Sequence, residues 1–253
     1  MLTKIKAICK EPVFWELVTI GFLLLLTVIA LAVFLQPSSP QAPTETTAPT
    51  QPERPSVLGI DVSEHQEAID WQQVKASGIE FVMIRVGWRG YTQGELFADT
   101  LAQTHYAGAK AAGLKVGAYI FSQATSAKEG IEEAVYLLEQ TKDWNIDMYL
   151  ALNWEHVGEE NRTAAVDARC LTDITKAFCQ TVAKANKRPM VYFDAYLASS
   201  RLFIDELTDY PFWLAQYAAE MEFTHPVKMW QYTCTGRVDG IDEDVDINRY
   251  YAE

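Results

Sequence analysis

Residues 113–155 read GLKVGAYIFSQATSAKEGIEEAVYLLEQTKDWNIDMYLALNWE. Val116–Phe121 is a short apolar run of the kind a buried strand requires, with β-branched and aromatic members. Over Ala127–Thr141 the apolar residues shift to helical spacing, and Met148–Leu152 returns to a compact apolar run. Strand, helix and strand in that order predict two parallel strands joined by a crossover helix.

The same alternation extends in both directions. Upstream, Val57–Val62 and Phe81–Val86 read as strands, with helical patterns over Trp71–Ser77 and Thr100–Ala112. Downstream, Pro189–Phe193, Phe212–Ala215, Lys228–Tyr232 and Val245–Ile247 read as strands, with helical patterns over Ala164–Ala185 and Leu197–Arg201. Gly78 and Gly113 stand where helix C-caps belong, each just ahead of a strand. Eight strands alternating with helices predict an α/β fold: a single-domain, TIM-like β/α barrel with the sheet parallel and the helices outside. The weak helices near the C-terminal end make it an irregular barrel.

The stretch ahead of this domain has a different character. Leu17–Leu35 carries no charge, and at ~1.5 Å rise per residue a helix of that length spans about 28 Å, close to the hydrocarbon thickness of a bilayer. Lys4, Lys6 and Lys10 precede it, which predicts residues 1–16 in the cytoplasm and the rest of the chain exported. The run is longer than a signal-peptide core and leaves through Phe34-Leu35-Gln36-Pro37 with no clear cleavage site, so an uncleaved single-pass anchor is expected over 17–35. Residues 36–56 are rich in Pro, Thr, Ser and Gln without apolar periodicity, the composition of a disordered tether. The folded domain is expected over 57–253, in the extracytoplasmic space.

Charge narrows the partners. The formal net charge is −13. The few charges in residues 1–56 nearly cancel, so the folded part carries almost all of it. Nucleic acid is thereby excluded as a partner, since binding it takes clustered Lys and Arg. Cys170, Cys179 and Cys234 lie in the domain without a C-x-x-C, so neither a disulfide framework nor a zinc site is expected, and buried free thiols are the reading.

In β/α barrels the reactive groups sit at the C-terminal ends of strands. Asp61 follows the first strand, Asn153 and Glu155 follow Tyr149–Leu152, Asp194 follows Val191–Phe193, and Asp244 and Asp246 flank the last strand. Trp88, Tyr119, Tyr192, Trp213, Trp230 and Tyr232 fall near the same rim. Carboxylates ringed by aromatics suit a sugar-cleaving cleft, with acids for proton transfer and flat rings for pyranose faces. The plainer alternative for each is that a strand-end Asp caps a loop and a strand-end aromatic is core.

Several segments resemble glycoside hydrolase family 25, the Chalaropsis-type lysozymes. Gly59-Ile60-Asp61-Val62-Ser63-Glu64-His65-Gln66 is similar to the family's opening motif, and Leu152-Asn153-Trp154-Glu155 stands where the family has D-x-E. Phe212–Tyr217, Trp230–Thr233 and Gly240–Asn248 resemble its W-x-A-x-Y, W-Q-Y and closing V-D-x-N segments. The resemblance implies cleavage of the β-1,4 bond from N-acetylmuramic acid to N-acetylglucosamine in peptidoglycan, without metal or other cofactor. It implies Glu155 as general acid, Asp61 and Asp246 as supports for positive charge at the anomeric carbon, and Tyr119, Tyr192, Asp194, Trp213 and Gln231 along the sugar subsites. The chain departs from the pattern at Asn153, where the family's Asp steers the substrate's own 2-acetamido group. That leaves two readings open: an active muramidase, and a peptidoglycan-binding module that keeps the cleft with little or no turnover.

Overall fold

The computed structural model describes residues 54–158 and 160–251. The segments expected to be cytoplasmic (1–16) and membrane-spanning (17–35), and all but the last residues of the expected tether, lie outside the described residues. Among those described, no helix is long and apolar enough to cross a membrane.

Among the described residues nine strands and five α-helices follow one another: β1 (Ser56–Val62), α1 (Trp71–Ala76), β2 (Ile79–Arg89), β3 (Leu96–Ala98), α2 (Ala102–Ala111), β4 (Lys115–Ser122), α3 (Ala127–Gln140), β5 (Leu150–Trp154), α4 (Ala168–Lys184), β6 (Pro189–Asp194), α5 (Ala195–Ser200), β7 (Phe212–Ala215), β8 (Met229–Gly236) and β9 (Val245–Tyr251). Eight strands close a ring in the order β1-β2-β4-β5-β6-β7-β8-β9, with β9 returning to β1. The predicted strands all recur in this ring.

Two features differ from the expectation. The ring is not wholly parallel, because β9 runs antiparallel to both β8 and β1. No helix separates β8 from β9, and without a crossover the chain turns straight back. In addition, β3 pairs antiparallel with β2 outside the ring and forms a hairpin above it. Its three residues are too few to carry a periodic signal.

The parallel strands β2, β4, β5, β6 and β7 are buried on both faces over most of their length, so their side chains sort by parity. In β2, Val82, Ile84 and Val86 pack outward under the helices, while Phe81 and Met83 point inward. The inward set fills the barrel with Phe81, Met83, Tyr119, Met190, Tyr192, Trp213 and Met229. Helices α1, α3 and α4 start on side-chain caps: Asp70 accepts from the Gln72 and Gln73 amides, Ser126 from Glu129, and Asp167 from Cys170. Gly78 and Gly113 follow α1 and α2 at φ of +89° and +77°, a left-handed backbone that side chains rarely adopt. Of the thiols, Cys179 is buried as expected, Cys170 is half-buried and Cys234 is exposed.

Candidate active site

Parity also assembles the site. Gly59 and Asp61 share the inner face of β1, and Ala151 and Asn153 share that of β5, with Glu155 one residue past its end, so the N-x-E spacing brings both polar side chains to the mouth. There Asp61, Arg85, Tyr119, Phe121, Asn153, Glu155, Tyr192, Tyr217, Gln231, Cys234 and Asp246 line a cavity of about 250 Å³. A larger open groove of about 740 Å³ lies beside Trp71 and Gly108 but gathers no comparable set of acids. Among the described residues, no three His, Cys, Asp or Glu side chains cluster as metal ligands would.

The floor of the cavity is a hydrogen-bond network. Asp61 Oδ2 accepts from Gln231 Nε2 at 2.9 Å and from Asn248 Nδ2 at 2.7 Å. Gln231 Oε1 accepts from the hydroxyls of Tyr217 (3.0 Å) and Tyr192 (3.3 Å). Asp61 and Asp246 stand directly opposite one another across the β1–β9 pair. Burial lifts the Asp61 carboxyl well above the ordinary range, and the charge of Asp246 lifts it further. Burial raises Asp246 as well, while its hydrogen bond with Asp61 works against the rise. The two carboxyls titrate as a coupled pair, with the greater rise on Asp61.

Glu155 is placed to be protonated. Burial raises its pKa, and the charges of Asp194 and Asp246 add to the rise, against hydrogen bonds from Asn153 and Tyr192. Asn153 Nδ2 donates to Glu155 Oε1 at 3.2 Å. The other end of that amide, Asn153 Oδ1, is buried and has no hydrogen-bond partner among the described residues. A buried acceptor left unpaired is costly unless a ligand pairs with it.

Two residues expected along the subsites sit elsewhere. Trp213 is fully buried beneath the cavity; it donates through Nε1 to Asn248 Oδ1 at 2.8 Å and packs edge-on against Tyr119 and Tyr192. It is a support of the floor, out of reach of a sugar. Asp194 caps α5, accepting from the Leu197 amide at 2.7 Å, and meets the cavity only through its charge. Tyr119, Tyr192 and Gln231 do line the cavity.

The structure also brings in residues that were not singled out. Arg85 and Phe121 lie two positions beyond Met83 and Tyr119 on the same inner faces, so parity marked them. Gln123 had no such signal. It is fully buried; its Nε2 donates to the Glu155 carbonyl at 2.9 Å, and its Oε1 accepts from Thr163. Arg162 clamps this loop, donating to the Gln123 carbonyl at 2.8 Å and to both Glu129 oxygens at 3.0 and 2.6 Å.

Burial alone would raise the Glu129 pKa, but the bonds from Arg162 and Thr125 and the charge of Arg89 outweigh it and hold the carboxyl at about 2. A depressed folded-state pKa gives stability that is full above the unfolded value and is lost as pH falls through the folded one. Thermal stability should therefore fall between pH ~4.5 and ~2. Glu129→Gln should be less stable at pH 7 and show a shallower decline in that window. Unfolding curves recorded across it by circular dichroism make the comparison, and parallel curves for the two proteins would remove Glu129 from the account.

A closed β/α barrel with paired acids in a polar mouth is an arrangement that suits a glycoside hydrolase. Residues 60–241 match the model of glycosyl hydrolases family 25, most of the chain, and the chain belongs to that family. Lysozyme M1 of Streptomyces globisporus is 28% identical over 208 residues, 77% of this chain and 67% of that protein. The bacterial lysozyme of Streptomyces coelicolor superposes with a TM-score of 0.65 at 25% identity, over 79% of this chain and 94% of that one. The modular autolysin LytC of Streptococcus pneumoniae, solved with a synthetic peptidoglycan ligand, shares the fold at a TM-score of 0.68 and 24% identity. This match covers 78% of the present chain but about half, 47%, of LytC.

Proposed function

We propose that this chain hydrolyses the β-1,4 bond between N-acetylmuramic acid and N-acetylglucosamine in peptidoglycan, with assistance from the substrate's acetamido group. The observation that carries the reading is the unpartnered, buried Asn153 Oδ1 next to a carboxyl raised toward protonation. The first serves as acceptor for an amide N–H, the second as acid for a leaving oxygen. Glu155 gives its proton to the glycosidic oxygen as the bond to the anomeric carbon breaks. The acetamido oxygen of the same sugar attacks that carbon, and its N–H is held by Asn153. The ring so formed is a cation, and Asp246 supplies the nearby negative charge. Glu155, now a carboxylate, takes a proton from the water that reopens the ring, which restores the acid.

The test is to incubate the full chain with purified peptidoglycan. New reducing ends on muramic acid support the proposal; new ends on glucosamine alone would place the cut at the other bond. The neutral side chain at 153 favours a second reading, a binding module, which would retain peptidoglycan and release no ends.

The placement outside the cell rests on the uncharged run over 17–35 and the lysines before it. The full chain should stay with membranes through high-salt and alkaline washing, and protease added from outside should free the domain by cutting within 37–56. A soluble, shortened domain as the main product would make the segment a cleaved signal.

A further inference from the structure

The cavity of about 250 Å³ is smaller than the ~300–1,000 Å³ usual for ligand pockets, so it holds the reacting unit of a polymer and leaves the rest of the strand on the rim. One part of that rim is built from aromatic rings. In β4, Tyr119 and Phe121 point inward. The pairing of β2 with β4 slips between Arg85 and Gly87, so Tyr119 faces Arg85 and Phe121 faces Trp88. This bulge keeps Trp88 on the inner face, while Arg89 turns outward to bond Glu133 of α3. Trp88 in turn faces Phe97 across the β2–β3 hairpin. Phe121, Trp88 and Phe97 thus form one row across three adjacent strands, beginning at the cavity wall. At ~4.8 Å between strands the row extends about 10 Å from the cavity, room for about two pyranose rings.

The rings are held in place. Trp88 lies between the Arg85 guanidinium, 4.9 Å from its centroid, and Phe97, stacked at 5.5 Å with 24° between planes. Tyr91 stands edge-on to Phe121 at 6.0 Å. Phe97 is nonetheless 44% exposed and Tyr91 45%. Fixed aromatic rings open to solvent and continuous with a catalytic cavity mark a binding surface.

We infer that the Phe121–Trp88–Phe97 row is a platform for the glycan strand beyond the reacting sugars, with Phe97 its outer contact, and that it makes the enzyme select long strands over short ones. The occupant is the saccharide backbone, because the row runs on without a break from the cavity that holds the reacting sugar. This rests on the glycan-cleaving reading above.

Binding by the full chain carrying Glu155→Gln, which should not turn over, tests it with glycan strands stripped of stem peptides, two or eight sugars long. Adding Phe97→Ala should weaken binding of eight-sugar strands about tenfold, the scale of burying one pyranose face on a ring, and leave two-sugar fragments unchanged. Phe97→Trp, which keeps an aromatic face, should preserve long-strand affinity and serves if the alanine variant folds poorly. Equal affinity of the Glu155→Gln protein for both lengths, or a long-strand affinity untouched by Phe97→Ala, overturns the platform and leaves the cleavage reading standing. A loss seen only on strands that retain stem peptides assigns the row to peptide and also overturns it. Failure of the Glu155→Gln protein to bind strands of either length, with no reducing ends made by the natural chain, brings down both.

Discussion

Replacing Glu155 by glutamine should lower turnover by at least ~10²-fold, the scale of losing a general acid. The substitution keeps the shape of the side chain and its place beside Asn153 Nδ2, but removes the proton that the leaving oxygen needs. Folding should be unchanged, since Gln123 holds the Glu155 carbonyl and not its side chain. The same group sets the pH dependence. Burial first, then the charges of Asp194 and Asp246, raise its pKa, so the protonated form should persist to higher pH than for an ordinary glutamate. Activity of the natural chain should fall as pH rises past that value, and Asp194→Asn should bring the fall to lower pH. A Glu155→Gln enzyme that keeps most of its kcat would transfer the acid role to the Asp61–Asp246 pair.

The largest gain is expected from Asn153→Asp. On the proposed mechanism, the natural chain sets a neutral amide against a ring that becomes cationic during reaction. A carboxylate there would supply full charge in a partly dry cleft, which should be worth several kcal/mol, about two to three powers of ten in rate. Ground-state binding should change little, because either side chain can accept the hydrogen bond from a neutral acetamide. The expected signature is a large rise in kcat with KM nearly constant. The new carboxylate would also push the Glu155 pKa higher by like-charge repulsion, moving the alkaline limb of the pH–rate profile upward. Unchanged kcat in an already active chain would mean that the charge is supplied by another group, with Asp246, already in the cavity, the first to replace. Binding without turnover by either form would favour the binding module.

The barrel was legible because burial on both faces leaves compact apolar runs, and these mark strands whatever their direction. Direction was not legible for β9: an apolar run pairs either way, and only the missing helix after β8 pointed to a reversal. In the site, the strand-end rule located Asp61, Asn153 and Glu155; Asp246, near the start of β9, meets them in one cavity because that strand runs antiparallel. It could not separate a ring that faces a sugar from one that supports the floor. Trp213 and Tyr192 sit side by side in sequence register, on neighbouring strands, and both point inward; depth along the barrel axis decides between them, and depth is set by stagger between strands. Asp194 was ambiguous for a related reason, since an acid at a strand end is also the residue that starts the next helix. Gln123 gave no signal, because its function depends on reaching a main-chain carbonyl on a different strand.

The antiparallel closure has a consequence for when the catalytic centre comes into being. Asp61 lies on the first strand of the barrel and Asp246 on the last, and they meet only through the β1–β9 pairing. A growing polypeptide makes Asp61, Asn153 and Glu155 long before it makes Asp246. Contacts between parts so distant in sequence are slow to form, because the loop they close must be ordered first. On the proposed mechanism, a partly made or C-terminally nicked chain would have an acid without its counter-charge, and cutting power should arise only when the final strand slots into the gap and seals the ring.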